Sequence, residues 1–292
     1  HRKSWVSPDV KKAPRLLFVS DDGTDDVYIF TMPAMTLKGT LTGFAEPQGM
    51  CTDKSGNVWI VNTETSQVFQ YSRAGTFLRS VSVGPYLPAG CAVNKANGDL
   101  AVTNLIGTIG GSGNVEIFAD GSSSGTEIVN PNQSYYYFPA YDTVGNLYVD
   151  GFTSDESSIL SKCAPGSGTC STLSVSGGSI FLPGGLNWDQ VHNQLVVGDQ
   201  SCNDEEASCL YAMTISGSTA TIAGSNPLND YDGGGCDVDQ GTLAPRASYF
   251  AGPCLSRGSG SNAVARWLLP AGGTPTHYSA THFPIGSAIS NK

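Results

Sequence analysis

The sequence predicts an all-β chain: a six-bladed β-propeller of four-stranded blades, with its ring closed by the C-terminal strand. Three observations predict it. Short blocks rich in Val, Ile, Thr, Tyr and Ser alternate with Gly/Pro/Asn turns, and helix-type runs of Ala, Glu, Lys and Leu are missing. One block type returns at intervals of roughly 40–55 residues, the period of propeller blades: GNVWIVN (56–62), GDLAVTN (98–104), GNLYVD (145–150) and NQLVVGD (193–199). Finally, FPIGSAIS (283–290) restarts the Pro-x-Gly pattern of EPQGMCTD (46–53) and LPAGCAVN (87–94) almost where the chain stops.

In chain order, residues 1–15 form a basic arm that belongs to no blade, and 16–292 form the propeller. The first unit (16–44) holds RLLFVSD (15–21) and two further strands but lacks an inner strand. Units two to six cover 45–84, 85–134, 135–177, 178–228 and 229–283. Each opens with a Gly/Pro-rich inner strand ending at Asp53, Asn94, Asp142, Asp189 or Asp239. A second strand follows, then two more, as in QVFQYSR and TFLRSVSV. Residues 283–290 supply the inner strand missing from unit one, which removes sheet edges and pins both chain ends.

Eight cysteines without CxxC spacing read as disulfides rather than a metal site. The blade register suggests three pairs. Cys163 with Cys170 staples a turn between outer strands, and Cys202 with Cys209 staples a loop. Cys236 meets Cys254 through antiparallel pairing. Cys51 and Cys91 remain, on inner strands of adjacent units. The chain is therefore expected to be extracellular or periplasmic. It opens on His1 without a leader-like segment, as a mature exported chain would. No apolar run approaches the ~18 residues of a membrane span.

The unit pattern P-x-G-x-x-x-D…G-N-V-W-I-V-N…V-F-Q-Y…G-T-F-L resembles the NHL-repeat propellers over about 16–290. The opening SWVSPD…RLLFVSDDG is similar to secreted bacterial propellers. Two enzyme families share the architecture. The gluconolactonase-like propellers hold a divalent metal at the channel mouth with Glu, Asn and Asp. The virginiamycin B lyase-like propellers use His and Glu with a metal.

The first resemblance implies an acidic ligand on the strand opening blade one, yet 283–290 contains no Glu. Asn104, Asp150 and Asp199 stand at second-strand ends, where ligands would come from, and Asp237 lies on the last inner strand. Asp and Asn at such ends commonly cap turns instead. The lyase resemblance implies histidines on the same rim, and His1, His192, His277 and His282 fall elsewhere. SDDGTDD (20–26), CNDEEASC (202–209) and NDYDGGGCDVD (229–239) cluster oxygen groups that would suit Ca2+, without the twelve-residue loop pattern.

Charge separates strongly. Loops on the second-strand-end face carry sixteen of the 25 acidic residues and a single cation, Arg257. Such a face repels nucleic acid. The arm carries five cations against Asp9, a formal +4, so the remainder carries −14 of the −10 total. The expected function is therefore binding or self-assembly rather than catalysis. Trp5 and Val6 of the arm would contact another copy or a cell-surface partner, and Tyr135, Tyr136 and Tyr137 would form an adhesive surface. A metal-dependent lactonase or lyase is the alternative.

Overall fold

The computed structural model describes residues 3–202, 207–257 and 261–292. Its strands, in chain order, are β1 (Trp5–Val6), β2 (Arg15–Asp21), β3 (Asp26–Thr31) and β4 (Thr36–Thr42). The second unit is β5 (Pro47–Thr52), β6 (Val58–Asn62), β7 (Gln67–Tyr71) and β8 (Phe77–Ser82). The third is β9 (Tyr86–Val93), β10 (Leu100–Gly107), β11 (Ser112–Phe118) and β12 (Gly125–Ile128). The fourth is β13 (Tyr135–Tyr141), β14 (Leu147–Phe152), β15 (Ser158–Cys163) and β16 (Ser171–Ser176). The fifth is β17 (Pro183–Asp189), β18 (Gln194–Asp199), β19 (Ser208–Ser216) and β20 (Thr219–Leu228). The sixth is β21 (Cys236–Asp237), β22 (Thr242–Leu243), β23 (Tyr249–Ser256), β24 (Ala263–Leu268) and β25 (His277–Ala280), and β26 (Pro284–Asn291) ends the chain.

The chain is all-β with a propeller-type arrangement of antiparallel meanders. Second strands such as β6 and β18 are buried on both faces because neighbouring sheets cover each side, which is why they read as unbroken apolar runs. The outer strand β20 is mostly exposed, with only Ala220 and Leu228 buried. β26 pairs with β2 along its length, from Arg15↔Asn291 to Asp21↔Pro284, so the last strand completes the first sheet. Inner strands lie side by side: β26 against β5, then β9, β13, β17 and β22, and β22 back against β26. The Pro-x-Gly motif has a steric cause here. A Cβ on Gly49 would collide with the Ala89 carbonyl, and one on Gly286 with the Gln48 carbonyl. Only glycine lets adjacent inner strands approach so closely.

Two features depart from expectation. The arm does not lie outside the sheets. Trp5 and Val6 pair with Thr40 and Gly39 and extend the first sheet beyond β4. A 3-10 turn (Pro8–Lys11) then buries Val10, and the Arg73 guanidinium donates to the carbonyls of Val10 (3.0 Å) and Ala13 (2.5 Å). The arm docks in cis because the β4 edge offers free backbone groups and unit two offers a matching donor. In addition, β16 and β20 pair in parallel over Ser174↔Thr219 to Ser176↔Thr221, so units four and five share an eight-stranded sheet.

All four disulfides form as the register suggested: Cys51–Cys91, Cys163–Cys170, Cys202–Cys209 and Cys236–Cys254. They are consistent with an extracellular or periplasmic protein. Among the described residues no helix is long and apolar enough to cross a membrane.

Candidate functional site

Polar residues at the second-strand ends join each incoming inner strand to its own sheet. Asp21 Oδ2 accepts the N–H groups of His282 (2.7 Å) and Phe283 (3.0 Å). Asn62 Oδ1 accepts from Ala45 (2.8 Å), and Asp150 Oδ1 from Phe138 (2.8 Å). Asp199 accepts from Phe181 (2.9 Å), Leu182 (3.0 Å) and Ser201 (3.0 Å). Asn104 differs: its Nδ2 donates to Asn114 Oδ1 (2.6 Å), and Asn114 donates to Glu127 (3.0 Å). Asp237 pairs with Arg257 (3.0 Å). One oxygen each of Asn104, Asp150 and Asp237 is buried without a hydrogen-bond partner among the described residues.

Burial, with smaller opposing help from backbone donors, pushes the Asp150 carboxyl well above the usual range. Burial and the charge of Asp237 raise Asp239 to about 7. Among the described residues no group of three or more His, Cys, Asp or Glu side chains converges as a metal site. The acidic residues Asp204, Glu205 and Glu206, like His1 and Arg2, lie outside the described residues.

The tyrosine run is not the surface expected from its composition. Tyr136 is fully buried, and its hydroxyl donates to the Asn130 carbonyl (3.1 Å) and accepts from the Asn130 N–H (2.8 Å). Strand alternation forces it into the sheet interior, with Tyr135 and Tyr137 half-buried on the other side. Tyr137 packs edge-on against Phe152 at 5.6 Å.

The opposite rim, where inner strands turn into second strands, is more concave. Four inner strands, β5, β9, β13 and β17, end on or just before a side chain that caps the following turn. Asp53 accepts from Ser55 (2.8 Å) and Asn57 (2.9 Å), and Asn94 from Ala96 (3.0 Å). Asp142 accepts from Val144 (3.0 Å) and Asn146 (2.8 Å), and Asp189 from Val191 (2.8 Å) and His192 (3.3 Å). His192 Nδ1 also lies 2.6 Å from Asp189 Oδ2, so the ring is held by the carboxylate.

Between these turns the inner strands enclose a cavity of about 730 Å³. Its walls mix apolar and polar groups in about equal parts, with Met50, Pro139 and Ile289 beside Thr52, Gln240 and Thr242. Trp188 lines it too, its ring stacked on Tyr148 at 5.7 Å with the planes 6° apart and its indole N–H buried without a hydrogen-bond partner among the described residues. Two cations stand at the cavity, Lys95 and Arg246. The surrounding wall lowers the Lys95 pKa by desolvation, against an opposing pull from Asp53. Arg246 (φ 73°) and Ala247 (φ 50°) hold left-handed backbone, a conformation costly for residues with a Cβ. Sequence reasoning missed Lys95, Trp188 and Arg246. The available signal was their position in or beside the turns that end the inner strands.

Fold and cavity together define a propeller-type protein with a concave inner site. The NHL repeat model matches residues 44–71, which span β5, β6 and β7. A protein of unknown function from Bacteroides caccae is similar with a TM-score of 0.69 at 13% identity, covering 96% of this chain and 100% of its own. Kuenenia stuttgartiensis hydrazine synthase is similar with a TM-score of 0.60 at 11% identity, covering 86% of this chain and 73% of its own. No curated protein matches the chain. At these identities the likeness is one of fold.

Proposed function

We propose that the chain is a secreted six-bladed propeller that binds a small molecule in its inner cavity without transforming it. The count of six is supported by the single cycle of inner-strand neighbours and by the meander within each unit. On this reading the eight-stranded sheet is two blades joined at their outer edges by β16 and β20. The observation that carries the binding reading is the cavity itself. Its volume of about 730 Å³ falls among small-molecule pockets of roughly 300–1,000 Å³, and its wall combines apolar and aromatic surface with polar groups. The rim carboxylates that could act on a ligand already serve as acceptors for turn N–H groups.

The test is titration of the full chain with the uncharged dye N-phenyl-1-naphthylamine. One dye should bind per chain, and Ala92→Trp, which fills the cavity from a wall residue, should abolish binding. Dye bound equally by both proteins would refute the reading.

A second reading, a lactonase- or lyase-type enzyme using a divalent cation such as Ca2+, is favoured by one observation. The His192–Asp189 pair sits beside Gln190 and Val191, which line the cavity. A carboxylate that accepts from Nδ1 leaves Nε2 free as a base. Lactone hydrolysis by the wild type that is lost in His192→Gln would replace the binding reading with this one.

A further inference from the structure

We infer that the ligand of the inner cavity is a small organic anion with a flat apolar body, and that Lys95 and Arg246 select it. The inference rests on the reading that this cavity takes a ligand. It follows from the hydrogen-bonding capacity left open at the mouth.

The carboxylates there and Asn187 are occupied. Asp142 takes the N–H groups of Val144 and Asn146, the Nδ2 of Asn146 (2.6 Å) and the Tyr148 hydroxyl (3.3 Å). Asp189 takes two N–H groups and His192. Asn187 is satisfied in both directions, donating to Gly241 (3.1 Å) and accepting from Leu243 (2.9 Å). The strong donors are open. Neither Lys95 nor Arg246 makes a side-chain hydrogen bond or ion-pair contact among the described residues. Together they offer an ammonium and a five-donor guanidinium with no acceptor.

Their placement adds to this. Lys95 follows β9 and Arg246 follows β22, three inner strands apart in either direction around the cycle. They therefore stand on opposite sides of the cavity. A ligand that complements open donors supplies acceptors, and charged acceptors make the stronger hydrogen bonds. The wall mixes polar and apolar groups, with Trp188 and Tyr141 as its aromatic members. Those two rings offer packing area to a flat apolar body. A carboxylate on an aromatic or alicyclic ring fits both zones.

The experiment compares 2-naphthoate with its uncharged isostere 2-naphthamide by isothermal titration calorimetry on the full chain. Naphthoate is expected to bind about tenfold tighter, the effect of one charge contact with added attraction from the cation opposite. In the double variant Lys95→Gln/Arg246→Gln the naphthoate affinity should fall to that of naphthamide, whose own affinity should not change. Both residues are exposed, so the variant is expected to fold. Equal binding of the two compounds to the wild type would overturn the anion inference while leaving a ligand-binding cavity. A naphthoate preference that survives the double variant would overturn the roles of Lys95 and Arg246. Failure of both compounds, together with failure of N-phenyl-1-naphthylamine, would remove the binding reading and this inference with it.

Discussion

Gln240 reaches across the inner ring to Met50: its Oε1 accepts the Met50 backbone N–H at 2.8 Å. The same residue donates its own N–H to the Ile285 carbonyl (3.1 Å) and accepts the Ser287 hydroxyl (3.5 Å). One buried glutamine thus ties the sixth unit to β26 and to β5. Glycines make this possible, since a Cβ on Gly49 would occupy the space taken by the Gln240 side chain.

Replacing Gln240 with alanine should destabilise the protein by about 1–3 kcal/mol, because the Met50 N–H is left buried without a partner. Urea unfolding of wild type and variant measures this. An unchanged unfolding free energy would show that the bond contributes nothing.

A second prediction concerns pH. Glu116 lies directly opposite Glu127 across β11 and β12. Burial first, and the Glu127 charge second, push the Glu116 carboxyl up from 4.5 to about 7. A raised folded-state pKa means that the native protein holds this proton more tightly than the unfolded chain. As pH rises from 4.5 towards about 7 the unfolded chain gains more by ionising, so Glu116 lowers stability across that window and holds it down above. Glu116→Gln has no proton to lose. It should be more stable than wild type at about pH 8, and the gap should close in acid. Parallel stability curves for the two proteins would contradict the assignment.

These sites differ in how far the sequence foretold them. The return of Pro-x-Gly at 283–290 was legible because its cause is local: close approach of inner strands requires glycine at a fixed place in every unit. The disulfides were legible because strand register places their partners. The docking of Trp5 and Val6 was not, since a two-residue strand has no alternation to read. Nor was the pairing of β16 with β20, which joins two outer edges through backbone alone. Tyr136 was misread because composition reports aromatic area but not which side of the strand faces inward. Lys95 and Arg246 are separated by half the ring, and only the fold brings both to one cavity.

A third prediction follows from the arm. β1 covers the outer edge of β4, and Arg73 fastens the segment behind it. Deleting residues 1–14 would uncover the backbone groups of β4 beside Leu41, and exposed edges invite pairing between chains. The truncated protein is expected to self-associate more than the full chain in light scattering at matched concentration. A milder change, Arg73→Ala, should leave the sheet intact but speed trypsin cleavage at Lys11 and Lys12. An arm-deleted protein that stays as monodisperse as the parent would show that β1 protects nothing.

The last prediction ranks two disulfides. Cys51–Cys91 joins inner strands of adjacent units across a separation of 40 residues, whereas Cys163–Cys170 closes a separation of 7 within one unit. In the chain-entropy model the first should stabilise by about 4 kcal/mol and the second by about 2 kcal/mol. Packing points the same way. Cys91 belongs to the core between units two and three, beside Trp59, Val61 and Val102, so the first bridge also fixes two sheets against each other. Cys163 and Cys170 lie in the core between units three and four, but their bridge joins residues of one meander, which hydrogen bonds between β15 and β16 already hold in register. Alanine pairs are the appropriate replacements, since serine would add a buried hydroxyl at Cys91 and confound the comparison. Urea unfolding at 25 °C should place Cys51→Ala/Cys91→Ala below Cys163→Ala/Cys170→Ala in stability, and both below the parent. The reverse order would mean that the inner strands hold their places without the bridge, and that their close glycine-mediated packing is the stronger tie.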